Sequence, residues 1–138
     1  MPLLLDNRMM TAATGFGLFL VVTLILLGAV VVTGKRSLRR RHLTLVVLAF
    51  VGLGLAIYYA EKLGHEYNLD SAGSIYPVHL AFAKSTVYAY LLPIITGILT
   101  IKGKCKRTTH GRVAVAVILL TVVTAVTGLW LILAATPL

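Results

Sequence analysis

Four long apolar segments, separated by short polar stretches, dominate the pattern of the chain. They cover about residues 10–33, 43–60, 77–100 and 113–134. A helix that crosses a membrane needs roughly 20 mostly apolar residues, and even 43–60 extends about 27 Å as an α-helix. The pattern therefore predicts an all-α fold, a single integral membrane domain over residues 1–138 built as a four-helix up-down bundle.

The amino-acid composition excludes a soluble domain. Hydrophobic residues make up 59% of the 138 residues and charged residues only 12%, whereas a soluble domain carries about 25% charged residues. A chain with so few charges cannot cover a core with a polar surface. We therefore expect the lipid bilayer to be its main environment, in a bacterial inner membrane or a thylakoid-type membrane.

The distribution of charge predicts the topology. Ten of the thirteen Lys and Arg residues follow the first and third apolar segments, and no acidic residue lies among them. The ten are Lys35, Arg36, Arg39, Arg40 and Arg41 in the first basic loop, and Lys102, Lys104, Lys106, Arg107 and Arg112 in the second. The positive-inside rule then places these loops in the cytoplasm, with both termini and the acidic loop 61–76 outside. The net charge of +9 therefore reflects topology, and we expect no nucleic acid as a partner.

A short pattern occurs twice along the chain. The first segment ends in Thr33-Gly34, which is followed by a basic loop and by His42 at the start of the second segment. The third segment has Thr96-Gly97 near its end, followed by a basic loop and by His110 at the start of the fourth. Parallel repeats of this kind are related by an axis along the membrane normal. The alternative is that basic loops look alike for topological reasons alone.

His42 and His110 are the leading candidates for chemistry. In an up-down bundle they lie at equal depth on two diagonal helices, and imidazoles placed in this way can hold one haem iron between them. Arg41 and Arg112 are candidates for binding the haem propionates, or alternatively phospholipid headgroups. The other interpretation is that both histidines are interfacial side chains without a cofactor.

The helix surface beside His110 consists of small residues. Steps of 4, 7, 11, 14 and 18 residues reach Ala114, Val117, Thr121, Thr124 and Gly128. Such a surface leaves room for a flat macrocycle or for close approach of a neighbouring helix.

A second candidate site lies at the opposite end of the spans. His79 opens the third segment, and a second haem there would pair it with His65, Met9 or Met10. A divalent metal bound by His65, His79 and a carboxylate is another alternative. A solvated polar loop is the third.

Lys84 is a charge inside an apolar segment, and such residues are functional candidates. It shares a helix face with Tyr88 and is a candidate for binding a haem propionate, a quinone or an acid near the outer face. Alternatively, its side chain extends to the outer headgroups. In the same segment, Pro93 removes the hydrogen bond to the carbonyl of Ala89 and predicts a kink.

The chain resembles the small b-type cytochromes of the broad cytochrome b561-like superfamily. The similar features are His79-Leu-Ala, followed 17 and 18 residues on by Thr96-Gly97, and His110, followed at the same spacing by Thr127-Gly128. The resemblance implies a four-helix core, non-covalent haem b held by two histidines, and electron transfer to quinone, ascorbate or a partner subunit. The chain departs from the two-haem members because its first segment has no histidine to pair with His79.

The sequence thus predicts a membrane haem-b electron-transfer protein, or a cytochrome subunit of a larger redox complex, rather than an independent enzyme. We expect His42 and His110 to hold one haem and His79 to mark a possible second one, with a quinone as a further candidate cofactor. Larger redox subunits or a second copy of the chain are the expected protein partners. The alternative is a non-catalytic membrane subunit that packs against larger partners and binds no cofactor. A small transporter that uses Lys84 and His79 is a third hypothesis.

Overall fold

The computed structural model describes the backbone of residues 2–138 and the side chains from Asn7 onwards. The helices are α1 (Pro2–Lys35), α2 (Arg39–Gly64), α3 (Ile75–Ala89), α4 (Leu91–Ile101) and α5 (Arg107–Ala134). A 3₁₀ turn (Leu69–Ala72) and two short strands, β1 (Tyr67–Asn68) and β2 (Thr136–Pro137), complete the elements. The predicted all-α class is confirmed.

Four helical stretches are long and apolar enough to cross a membrane, as the four apolar segments predicted. They are Asn7–Lys35, Arg39–Gly64, Ile75–Ile101 and Arg107–Ala134. Many large apolar side chains on them are exposed, which is compatible with a surface that faces lipid. The sidedness of the loops and termini stays a prediction.

The helices extend beyond the apolar segments, so two predicted loop boundaries were wrong. Arg39, Arg40 and Arg41 form the first turn of α2 instead of belonging to the loop, while Glu61 lies in α2 and Tyr76 in α3. A helix satisfies its own backbone hydrogen bonds whether its side chains are apolar or charged. The apolar segment marks only the part suited to hydrocarbon, and the helix continues past it.

The predicted interruption near Pro93 is confirmed as a break between two helices. α3 ends at Ala89, and α4 begins at Leu91. The amide of Tyr90 still donates to the carbonyl of Thr86, but proline has no amide hydrogen to offer the carbonyl of Ala89. The missing bond accounts for the break between the two helices at this point.

The chain divides into two compact units. Unit one comprises residues 1–71 and 135–138, and unit two comprises residues 72–134. In unit one, α1 packs along α2 as a helical hairpin, and β2 pairs with β1 in antiparallel register. In unit two, α5 packs against both α3 and α4. These helix–helix contacts within each unit position the candidate side chains.

Both hairpins reverse direction through the same C-terminal turn. After α1, the amide of Leu38 donates to the carbonyl of Thr33 (3.1 Å), and Ser37 has φ +61°. After α4, the amide of Lys104 donates to the carbonyl of Leu99 (2.8 Å), and Gly103 has φ +71°. This is the Schellman arrangement, in which one left-handed residue lets the last carbonyls of a helix find donors.

We expect Gly103→Ala to lower the free energy of unfolding by about 1 kcal/mol, because a side chain makes left-handed backbone unfavourable. A Cβ at this position would meet no atom within 4 Å, so the effect reports backbone strain alone. Gly17→Ala, equally open but with helical backbone, is the matched control and should not destabilise. Unfolding of the purified protein in detergent, followed by the helical circular dichroism signal, measures both; equal stability of the two variants would contradict the expectation.

Candidate functional site

Three of the four histidines pack in the same way within their own units. Each ring lies against the glycine of a Thr-Gly pair on a neighbouring helix, so closely that a Cβ on that glycine would approach the ring carbon Cε1 to within 3.3 Å. The pairs are His42 with Gly34 (3.3 Å), His110 with Gly97 (3.3 Å) and His79 with Gly128 (2.8 Å). The absence of a side chain at these glycines is what makes room for the rings.

The hydrogen bond of His79 favours Nδ1 as the ring nitrogen that carries the proton. Its Nδ1 lies 3.1 Å from Oγ1 of Thr127, and that hydroxyl donates its own hydrogen to the carbonyl of Thr124 (3.0 Å). With its hydrogen directed in this way, the hydroxyl accepts from His79, and Nδ1 is the donor. In the neutral ring, Nε2 then carries the lone pair.

The same reasoning applies to His110 and His42. Nδ1 of His110 lies 3.2 Å from Oγ1 of Thr96, whose hydrogen is directed to the carbonyl of Leu92 (2.8 Å). Nδ1 of His42 lies 3.0 Å from the carbonyl of Val30, which can only accept. Nδ1 of His42 therefore donates to α1, and the same tautomer is favoured for His79 and His110.

This arrangement suits a metal-binding imidazole. Histidines that bind metals usually donate their second ring nitrogen to a carbonyl, hydroxyl or carboxylate, which sets the tautomer and holds the ring orientation. The three histidines thus share, at Nδ1, the kind of hydrogen bond that is typical of metal-bound imidazoles.

A fourth Thr-Gly pair, Thr14-Gly15, receives an aromatic ring instead of a histidine. The ring of Tyr59 lies against Gly15 and stacks on Phe19 with the ring centroids 5.6 Å apart. In unit one, the contact between the start of α1 and the end of α2 is therefore made by a phenol ring. The equivalent contact in unit two is made by His79. The sequence had already indicated that the first segment lacks a histidine.

Two further polar contacts join α3, or the residue that directly follows it, to α5. Thr86 and Thr124 share a hydrogen bond of 2.7 Å, and Tyr90 and Thr121 share one of 2.8 Å. Gly128, which lies beside His79, belongs to the same surface of α5. The small residues predicted to leave room on the His110 side of this helix therefore contact a neighbouring helix along this part of α5. Helix packing therefore uses the small surface here.

The remaining predicted site residues lie outside these contacts. His65 follows the last residue of α2 and is exposed, and Arg41, Lys84 and Arg112 are exposed as well. Of the predicted site, the structure brings His42, His79 and His110 each into the same type of contact.

The described side chains, from Asn7 onwards, contain no cluster of three or more His, Cys, Asp or Glu residues able to hold a metal ion. His65, His79 and a carboxylate, the alternative ligands of a divalent metal, are therefore not gathered into such a cluster. The physical reason lies in His79, whose ring is turned towards α5 and hydrogen-bonded there. The polar loop supplies oxygen atoms but does not gather them around an imidazole.

Sequence reasoning did not assign an orienting role to Thr96, Thr127 or the carbonyl of Val30. The repeat had placed Thr33-Gly34 before His42 and Thr96-Gly97 before His110, whereas the family resemblance linked Thr96-Gly97 to His79 and Thr127-Gly128 to His110. In the structure each pair faces a histidine on another helix, so that α3 and α4 exchange these contacts reciprocally with α5.

No family model, curated protein or solved structure matches the chain. Any functional conclusion therefore depends on the residues and their geometry.

Proposed function

We propose that the chain is a membrane haem-b electron-transfer protein, acting alone or as the cytochrome subunit of a larger redox complex. The observation that carries the proposal is the shared geometry of His42, His79 and His110. In each, Nδ1 lies within hydrogen-bond distance of a neighbouring helix and the ring lies beside a glycine.

His42 and His110 are the residues that would hold the iron of one haem. The sequence supports this pairing, because each follows a basic turn and a Thr-Gly pair, and the predicted topology gives both the same depth. Arg41 and Arg112 are the proposed partners of the propionates, because guanidinium groups bind carboxylates with two parallel hydrogen bonds. His79 is the proposed ligand at the opposite end, where Tyr59 takes the place of a histidine in unit one.

Bound haem b would supply a one-electron couple between its ferric and ferrous iron. The residues of the chain would bind the iron through Nε2 and hold the imidazole rings through the Nδ1 bonds. Apolar spans around the site would keep water away, and the local polarity would set the potential. A quinone or a larger redox subunit is the proposed exchange partner for electrons.

A second candidate function is that of a membrane subunit without a cofactor. The Thr86–Thr124 and Tyr90–Thr121 hydrogen bonds favour it, because they join α3 to α5 with polar side chains that have no ligand role. The histidines would then contribute helix–helix contacts of the same kind.

A reduced-minus-oxidised visible spectrum of the purified protein, expressed with sufficient haem, tests the two functions against each other. We expect a sharp α-band and a Soret shift, with one or two haems per chain in a pyridine haemochrome assay. A flat spectrum from a protein whose circular dichroism is fully helical would refute the haem proposal and favour the subunit without a cofactor.

A further inference from the structure

One face of α3 carries two polar side chains that none of the contacts described above uses. Lys84 and Tyr88 lie one helical turn apart and are both exposed, Tyr88 by 72%. α3 meets α5 through residues such as Thr86. At about 100° per residue, Lys84 and Tyr88 each point roughly 160° away from Thr86. They therefore form a polar patch on the opposite face, here called the Lys84–Tyr88 face.

The depth of this face in the membrane is set by the length of the span. Ile75–Ile101 contains 27 residues, or about 40 Å of helix, against a hydrocarbon thickness of roughly 30 Å. Tyr88 is the middle residue of the span. With the span centred in the bilayer, its Cα lies about 15 Å from either hydrocarbon boundary. Lys84 lies about 6 Å nearer the end at Ile75.

Extension towards the headgroups can take the polar group of only one of these two side chains out of the hydrocarbon. A lysine in this position can direct its ammonium along the helix towards the interface. The phenol of Tyr88 is too short to reach either interface from the middle of the span. Neither group makes a hydrogen bond or ion pair with the described side chains, from Asn7 onwards, and leaving such groups in hydrocarbon is costly.

We propose that the Lys84–Tyr88 face is the docking surface for a transmembrane helix of a partner protein that carries a carboxylate at this depth. The two oxygens of one carboxylate can accept from the ammonium of Lys84 and from the hydroxyl of Tyr88 at the same time. Exposed apolar side chains on α3 and α4, including Leu80 and Leu91, would pack beside this central polar contact.

A second copy of the chain does not supply this carboxylate. The four acidic residues are Asp6, Glu61, Glu66 and Asp70. All of them lie outside the four apolar segments, whereas the polar face lies inside one. The occupant is therefore a different protein with an acidic residue inside a span. The proposal goes beyond the proposed function, because it does not require haem.

Synthetic transmembrane helices test the proposal directly. The probe is a leucine-based peptide with a single glutamate at the depth of Lys84, compared with the same peptide carrying glutamine or leucine there. Each peptide carries the donor dye and the full chain carries the acceptor dye, both absorbing in the red. The two are reconstituted in phosphatidylcholine vesicles, and energy transfer between the dyes measures their association. We expect the glutamate peptide to associate about tenfold more tightly than the leucine peptide.

Variants show whether the two side chains are responsible. Lys84→Met should reduce the association of the glutamate peptide to that of the leucine peptide. Tyr88→Phe should reduce this association by a smaller amount. Lys62→Met, which removes an exposed lysine on α2 that lies over the ring of Tyr58, should leave the preference intact. The helical circular dichroism of each variant verifies that it is folded.

Equal association of the three peptides would overturn the proposal, and it is the result expected if Lys84 binds lipid phosphate. A glutamate preference that survives in both Lys84→Met and Tyr88→Phe would overturn it as well. The energy transfer does not depend on haem. A colourless protein that prefers the glutamate peptide would therefore support this inference while refuting the proposed function.

Discussion

His42→Ala and His110→Ala are each expected to yield a protein without the absorbance of the haem that they share. A haem held between two histidines loses one of its iron bonds in either variant, and a cofactor without covalent attachment is then lost during purification. His65→Ala is the control, because this exposed residue belongs to none of the Thr-Gly contacts. The haem content per chain in the pyridine haemochrome assay measures the effect.

His79→Ala distinguishes a protein that binds one haem from a protein that binds two. If the unmodified protein contains two haems, the content should fall to one and the α-band should become narrower. If it contains one, His79→Ala should leave the content unchanged. Full haem content in His42→Ala or His110→Ala would contradict the proposed ligand pair, even if the protein is a cytochrome.

The threonine that orients His110 offers a more selective test of the same site. Thr96→Val removes the acceptor of the Nδ1 hydrogen, and loss of such a contact typically weakens metal binding 10- to 100-fold. We expect weaker haem retention and a changed midpoint potential, with Thr96→Ser restoring both. Thr124→Val is the matched control, because it removes a hydroxyl that bonds to Thr86 rather than to a histidine. An equal effect of Thr96→Val and Thr124→Val would mean that the hydroxyl acts only through helix packing.

The sequence predicted the helices because their main determinant is local. Each apolar segment is long enough to identify a span on its own, and Pro93 interrupts the third one through the missing amide alone. The ends were less accurate, since Arg39 and Glu61 are in helix although they are charged. Backbone hydrogen bonding continues past the point where hydrophobicity stops.

The site was predictable only as a set of candidates. The spacing of 17 residues from His79 to Thr96 connects two positions along α3 and α4, whereas the contact that orients His79 comes from Thr127 on α5. Which glycines receive a ring is likewise a property of packing between helices. Gly34 and Gly128, which each follow a threonine, have histidines against them, but Gly15 also follows a threonine and has the ring of Tyr59 against it.

Gly52→Ala is expected to destabilise unit one by about 1–3 kcal/mol, the usual cost of overfilling a packed interface. A Cβ at Gly52 would lie 2.7 Å from Oγ1 of Thr23 on α1. Thr23 is only 1% exposed, so its short side chain cannot move aside, and the two helices would have to separate. Gly54→Ala, two residues further along α2 and open on its side, is the matched control. It should be neutral or slightly stabilising, because alanine favours helix over glycine.

The double variant Thr23→Ala with Gly52→Ala identifies the cause. Once Oγ1 is removed, the nearest remaining atoms of Thr23, Cα and Cβ, lie 3.8 Å from the new Cβ, which is an ordinary contact. Within the part of the chain whose side chains are described, Oγ1 of Thr23 has no hydrogen-bond partner, so Thr23→Ala sacrifices no hydrogen bond. We therefore expect the double variant to regain most of the lost stability, with a coupling energy of about 1–2 kcal/mol.

Chemical or thermal unfolding in detergent, followed by circular dichroism, gives the four stabilities of this cycle. If Gly52→Ala is as stable as Gly54→Ala, α1 and α2 do not approach each other as closely at this point as described. If the double variant shows no recovery, the cost arises elsewhere than at the hydroxyl. Because Thr23 and Gly52 lie away from all four histidines in sequence and in contact, the result tests the packing of the hairpin whether or not the protein binds haem. Recovery in the double variant would establish the helix spacing on which the contact of His42 with Gly34 also depends.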